Sequence, residues 1–215
     1  MKAEPRLPCV ILGCGGHARS VLGLLTALNW PVVGCVAPKA PAQSWPKDCP
    51  WLGDDTTLNA LDPCNVVLAN GVGSVGSPEL RRKLYVAGRA LGFRFPALVH
   101  PSSIFTNIRF DEGVQVMAGA ILQTGVTVGE NALINTGVIV DHDCQIGAHS
   151  HLAPGVTLSG SLHVNRNVFV GTGAVLIQGV SIGEDAIVGA GAVVTKDVAP
   201  GITVIGNPAQ PLKKR

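Results

Sequence analysis

A six-residue step starting at Ile104 meets an apolar side chain every time. Phe110, Val116, Leu122, Val128, Ile134, Val140, Ile146, Leu152, Leu158, Val164, Val170, Leu176, Ile182, Val188 and Val194 follow without a slip. At the chain's hydrophobic content such an unbroken run arises by chance about once in 10⁵ sequences. The position four further on is small or apolar in nearly every hexad, from Ile108 and Val114 to Ala192 and Val198. Glycine often follows the first position directly, as at Gly129, Gly147, Gly171, Gly183 and Gly189. An α-helix does not fit, because a six-residue step drifts around a 3.6-residue period. Paired hairpins do not fit either, because glycine recurs too often and no hairpin turn sequences occur. The pattern is that of a parallel β-helix. Each hexad forms one side of a prism, three hexads form a coil, and coils stack at about the 4.8 Å of neighbouring strands. Residues 104–199 hold just over five coils, followed by a tail over 200–215.

The segment before the repeat alternates strand and helix. Cys9-Val10-Ile11-Leu12 predicts a strand, Ala18 to Leu28 a helix, Pro31 to Val36 a second strand and Asn65 to Ala69 a third. Ser77, as N-cap, opens a helix to Gly92, and Phe93 to His100 predicts a last strand. Residues 1–100 therefore read as a small, Rossmann-like parallel α/β domain ahead of the β-helix.

Composition narrows the possible functions. With 14% charged residues, a net charge of +2 and no basic run beyond Lys213-Lys214-Arg215, which reads as a solvated tail, the chain is not expected to bind nucleic acid. Met1 to Pro5 opens no apolar signal core and no apolar run reaches 18 residues, so neither membrane insertion nor export is expected and a cytoplasmic location follows. The six cysteines form no CxxC pair and read mostly as small buried hydrophobes rather than disulfides.

Two glycine turns mark the N-terminal part. Gly13-x-Gly15-Gly16-His17-Ala18 lies between a strand and a helix, where glycine lets the backbone approach a diphosphate and the helix N-terminus adds positive potential. Asn70-Gly71-Val72-Gly73 follows the third strand at the same carboxyl edge. A nicotinamide cofactor is disfavoured, because Val36-Ala37-Pro38-Lys39 supplies no ribose-binding acid; Lys39 stands there instead. Two such turns on one edge point to a nucleotide. A tight strand-to-helix turn is the alternative.

Within the repeat, Val140-Asp141-His142-Asp143-Cys144 is the polar exception. The frame turns Val140 and Cys144 inward and puts His142 and Asp143 on an outward corner. A carboxylate beside an imidazole favours the charged ring and orients it, which suits a general base. Gly160 follows eighteen residues later at the same corner. Its bare N–H, about 5 Å away, is a candidate oxyanion donor that a thioester carbonyl could approach. A zinc site from His142, His149 and His151 is a weaker alternative, because these histidines leave different sides of a coil; no metal is expected.

Gly13-Cys14-Gly15-Gly16-His17, Ile134-Asn135-Thr136-Gly137, Asp141-His142-Asp143-Cys144-Gln145-Ile146-Gly147, His151-Leu152-Ala153-Pro154-Gly155 and Gly206-Asn207-Pro208-Ala209, in that order, resemble the PglD/NeuD-type nucleotide-sugar N-acetyltransferases and sialic-acid O-acetyltransferases. The resemblance implies a left-handed coil and a homotrimer with active sites between neighbouring β-helices. It implies acetyl-CoA as cosubstrate and a nucleotide-linked 4-amino-4,6-dideoxy sugar as acceptor, for surface polysaccharide synthesis. His142 is then the base, with Asp143 where some relatives carry Glu. His151 and Gly160 face the thioester, Thr172 and Ala190 line the CoA groove, and Asn207 and Pro208 lie near CoA. Gly13, Gly15, Gly16, His17, Lys39, Asn70 and Gly71 hold the sugar nucleotide. Uridine-binding relatives carry acids after the second strand. Ala37-Pro38 does not, so uracil is not the expected base; the chain most resembles the GDP-perosamine N-acetyltransferases. O-acetylation of a sialic acid and a non-enzymatic, sugar-nucleotide-binding trimer are the competing functions.

Overall fold

The computed structural model describes residues 6–74 and 76–212. Met1 to Pro5 and the tail Lys213-Lys214-Arg215 lie outside the described residues. The chain divides into two compact units, 1–73 with 80–96, and 74–79 with 97–215.

The first unit is a parallel sheet with helices. Its strands are β1 (Cys9–Leu12), β2 (Val32–Val36), β3 (Trp51–Gly53) and β4 (Val67–Asn70), in the order β3-β2-β1-β4. Helices α1 (Gly16–Ala27) and α2 (Glu79–Ala90) follow β1 and β4. β1 and β4 are buried along their whole lengths, as continuous apolar runs in a parallel sheet require. Ser77 accepts a hydrogen bond from the Glu79 N–H at 3.2 Å, the N-terminal cap expected of it.

Two elements differ from expectation. β3 and the 3₁₀ turn Asp55–Ala60 go unannounced, because Trp51-Leu52-Gly53 is too short to show a period. Only Leu98–Val99 of the expected strand over 93–100 is extended in a ladder. Phe93 and Phe95 instead pack into the first unit's core, where Phe95 meets Tyr85 with ring centroids 4.8 Å apart.

The second unit is a left-handed parallel β-helix. Its first face stacks Leu98–Val99, Gln115–Val116, Leu133–Ile134, His151–Leu152, Phe169–Val170, Ile187–Val188 and Thr203–Ile205. The second face stacks Ile104–Phe105, Ile121–Leu122, Ile139–Val140, Thr157–Leu158, Val175–Leu176 and Val193–Val194. The third stacks Thr127–Val128, Gln145–Ile146, His163–Val164 and Ser181–Ile182. From Val116 to Val194 every inward residue of the six-step ladder is at most 2% exposed. Each such side chain contributes about 1.5–3 kcal/mol.

Ile104 breaks the expected ladder. It pairs with Ile121 and is 64% exposed, while its neighbour Phe105 pairs with Leu122 and meets Phe110 edge-to-face at 5.2 Å. One residue fewer in this coil shifts the phase. At the other end, Ile182 bridges Val198 and Val188 pairs with Val204, so the last coil is two residues short.

Corner geometry recurs every six residues as well. From Asn107 to Gly191 each sixth residue has φ between 52° and 78°, and these residues are Gly, Asn, Asp, His149 or Ser161. The left-handed region is open to Gly and tolerated by Asn and Asp, whose short side chains bond locally. The glycines expected after the inward position serve close packing instead: a Cβ on Gly147 or Gly171 would stand 2.5 Å from backbone nitrogen of the next coil. Among the described residues, no helix is long and apolar enough to cross a membrane.

Candidate active site

His142 and Asp143 form the corner between Ile139–Val140 and Gln145–Ile146. The stacked backbone holds that corner: the Asp143 N–H donates to Thr124 O at 3.0 Å, and the Ser161 N–H donates to His142 O at 2.8 Å. Asp143 has φ 59°, one of the left-handed positions. This conformation swings its carboxylate beside the preceding imidazole, where Oδ2 lies 2.9 Å from His142 Nδ1. Asp141 Oδ1 accepts the His142 backbone N–H at 2.7 Å. Nδ1 is thus committed to the carboxylate and Nε2 is left for a substrate proton. The hydrogen bond from Asp143 raises the pKa of His142 above its usual value. Partial desolvation works against this shift, and the charges of Asp141 and Asp143 add to it. The two side chains are 46% and 65% exposed, so the pair is open to ligand and contributes little stability.

Gly160 lies beneath the ring. A Cβ there would be 2.5 Å from His142 Nε2 and 2.6 Å from Cε1. The imidazole therefore fills the space a side chain would take, and glycine is needed at 160 as the seat of the ring. The Gly160 carbonyl accepts from Gly179 N at 3.0 Å, whereas its own N–H goes to no backbone acceptor among the described residues. Gly125 has a matching role one coil earlier, where a side chain would collide with Asp143 Oδ1. The sequence alone gives Asp141 no role within its polar motif and does not mark Gly125. The six-step recurrence of Gly, Asn and Asp is the signal that would have found Gly125.

Thr172 and Ala190 lie on a different corner, between the first and second faces. The Gly173 N–H donates to Pro154 O at 3.0 Å and the Gly191 N–H to Thr172 O at 2.8 Å, so Pro154, Thr172 and Ala190 stack in one exposed column. The turn Gly206-Asn207-Pro208-Ala209 docks at its end: Val193 N donates to Gly206 O at 3.0 Å and Ala209 N to Val193 O at 2.8 Å. The structure thus brings Thr172, Ala190, Asn207 and Pro208 together, apart from His142.

His151 joins neither group. It falls half a coil from both His142 and Gly160, on the first face, and is buried. Its Nε2 is 3.1 Å from Asn135 Nδ2 and its ring meets Phe169 edge-on at 5.3 Å. His149 sits at the third kind of corner, beside Asn131 at 3.1 Å. Among the described residues, no group of three or more His, Cys, Asp or Glu converges as metal ligands.

In the first unit the two glycine turns come together. Gly13, Cys14, Gly15, Gly16, His17, Ala37, Pro38, Lys39, Gly71, Val72 and Gly73 line one pocket of about 450 Å³. Asn70 is 1% exposed and lies behind this wall, supporting it. Gly71 has no room for a side chain: a Cβ would meet Ile11 Cγ2 and Leu12 O at 2.6 Å. The Cys14 thiol reaches Lys39 O at 3.6 Å, tying the first turn to the loop after β2. A larger groove of about 700 Å³ crosses the third face, bordered by Arg109, His163 and the Arg166–Glu184 ion pair at 2.6 Å. None of the residues expected to bind CoA lines it.

A carboxylate-oriented imidazole on a hexapeptide β-helix, with a glycine-walled pocket in a Rossmann-like unit, defines a class of acyltransferase. The family description "PglD N-terminal domain" matches residues 9–87, and "Bacterial transferase hexapeptide (six repeats)" matches 125–160 and 162–196. The structure of PerB from Caulobacter crescentus in complex with CoA and GDP-perosamine is 38% identical, covers 96% of this chain and 97% of its own, and superposes with a TM-score of 0.87. The acetyltransferase domain of PglB from Neisseria gonorrhoeae, in complex with acetyl coenzyme A, is 34% identical over 96% of this chain and 100% of its own, with a TM-score of 0.87. WeeI from Acinetobacter baumannii is 26% identical, with 96% and 100% covered and a TM-score of 0.85. No curated protein sequence matches the chain. The chain belongs to the PglD-type nucleotide-sugar acetyltransferases of the hexapeptide-repeat class.

Proposed function

We propose that this protein transfers the acetyl group of acetyl-CoA to the C4 amine of GDP-perosamine, a cytoplasmic step in surface polysaccharide synthesis. The observation that carries this reading is His142, with Nδ1 on Asp143 and its ring, Nε2 foremost, seated on Gly160. The amine nitrogen attacks the thioester carbonyl and forms the C–N bond while Nε2 takes the amine proton. The Gly160 N–H supports the oxyanion. The C–S bond then breaks, and the imidazolium returns its proton to the departing CoA sulfur. The pocket of Gly15, Gly16 and His17 takes the nucleotide diphosphate, with Lys39 at its rim. The 38% identity to PerB, solved with GDP-perosamine, favours guanine as the base.

The proposal is tested by incubating the protein with acetyl-CoA and, in parallel, GDP-perosamine, a UDP-linked 4-amino sugar and CMP-sialic acid, following CoA thiol release and product mass. Acetylation of GDP-perosamine at nitrogen is expected, as is a GDP-dependent thermal shift worth about 2.7 kcal/mol at a hundredfold excess over Kd. Exclusive modification of a sialic acid hydroxyl would replace this function with O-acetylation.

The homotrimer is part of the same proposal. His142 and the Thr172–Ala190 column occupy different edges of one prism, so a thioester touching both needs a second copy. The second face also presents exposed Ile104, Ile139 and Val175, an apolar stripe of the kind that covers itself by association. Light scattering is expected to give three times the chain mass, and Ile139→Glu with Val175→Glu to give one. A wild-type monomer with full activity would refute it.

A further inference from the structure

The wall formed by Gly71-Val72-Gly73 is held from behind by an unusual group. Arg81, on α2, is 0% exposed. Burying a guanidinium costs several kcal/mol unless its donors are well used. Here Nη1 donates to Asn70 O at 3.2 Å and to Val72 O at 3.0 Å. Asn70 closes the arrangement from the other side: its Nδ2 donates to Arg81 O at 2.8 Å and its Oδ1 accepts the Val72 N–H at 3.2 Å. The turn so clamped bears directly on the first glycine turn. A Cβ on Gly13 would stand 3.1 Å from Val72 Cγ2, and one on Gly73 would stand 3.2 Å from His17 Cβ.

We propose that Arg81 is a positioning residue for the diphosphate of the sugar nucleotide, holding the second glycine turn with its carbonyl oxygens drawn away from the pocket and setting a positive charge behind the wall. Two peptide carbonyls facing an incoming diphosphate would oppose it. Turned onto a buried cation they do not, and the cation adds attraction that low-dielectric surroundings screen poorly. Burial alone pushes the pKa of Arg81 down to about 9, so it still carries its charge at neutral pH. An apolar side chain could fill the same space, at the cost of the two donors that Asn70 O and Val72 O now accept from. The inference rests on the proposed nucleotide site.

The test compares wild type, Arg81→Lys and Arg81→Met in calorimetric titrations with guanosine, GMP and GDP, and in steady-state kinetics. Methionine is expected to weaken GDP about 10- to 100-fold, the scale of a lost charged hydrogen-bonding group, and lysine to restore part of it. Guanosine affinity, the KM for acetyl-CoA and kcat at saturating sugar nucleotide should hold within about threefold, a split that general loosening of the unit would not produce. Equal GDP affinity in a folded variant overturns the role of Arg81. So do equal losses for guanosine and GDP, or failure of both variants to fold, either of which makes it a core support. Wild-type protein that binds no nucleoside diphosphate sinks the nucleotide-site reading itself.

Discussion

His142→Ala lowers kcat for acetyl transfer by about 10²–10⁴, the range expected when a positioned base is removed, with KM for either substrate nearly unchanged. The fold should survive, because the ring is half exposed and the corner is held by backbone bonds from Asp143 to Thr124 O and from Ser161 to His142 O. The pH profile carries the sharper information. Only the neutral ring can accept the amine proton, so the rate falls as pH drops through the pKa of His142. The hydrogen bond from Asp143 raises that pKa, so the acid limb lies above the ordinary imidazole value of about 6.5. Asp143→Asn keeps a residue that tolerates φ 59° but removes the charge, and the limb should move to lower pH. A loss below tenfold in His142→Ala, with the acid limb unmoved, would leave the imidazole only a place-holder and the base elsewhere.

Gly160→Ala disables the enzyme without unfolding it. The added methyl would need the space of His142 Nε2 and Cε1, at 2.5 and 2.6 Å. Such overlap cannot stand, and the side that yields is the half-exposed imidazole rather than the stacked coils. Gly160 is not among the positive-φ glycines, so alanine costs no backbone strain there. The displaced ring loses Asp143, and a misplacement of about 1 Å costs roughly 10² in rate. Thermal stability should stay within about 1 kcal/mol, the ordinary cost of a tolerated substitution. Activity within a few-fold of wild type would show that the ring can work from another position and that Gly160 is not its seat.

The residues divide according to how they could be known. The inward ladder was legible because a stacked coil repeats its environment every six residues, so composition at fixed offsets reports burial directly. The same offsets placed Gly160 under His142, one coil apart. They misassigned Ile104, because dropping one residue from a coil leaves an apolar residue in phase by count while the backbone has shifted to Phe105. They also could not show that glycine at 160 seats the imidazole of His142, since what fills a gap depends on rotamer and corner geometry.

By itself the sequence determined the β-helix, its inward residues, the corner carrying His142 and Asp143, and two glycine turns on one sheet edge. All of these follow from local spacing. Only the tertiary structure decided that His151 is buried half a coil from the base, that Asn207 and Pro208 close the Thr172–Ala190 column, and that Arg81 clamps Asn70 and Val72. Those contacts join residues at no fixed interval, and packing rather than periodicity brings them together.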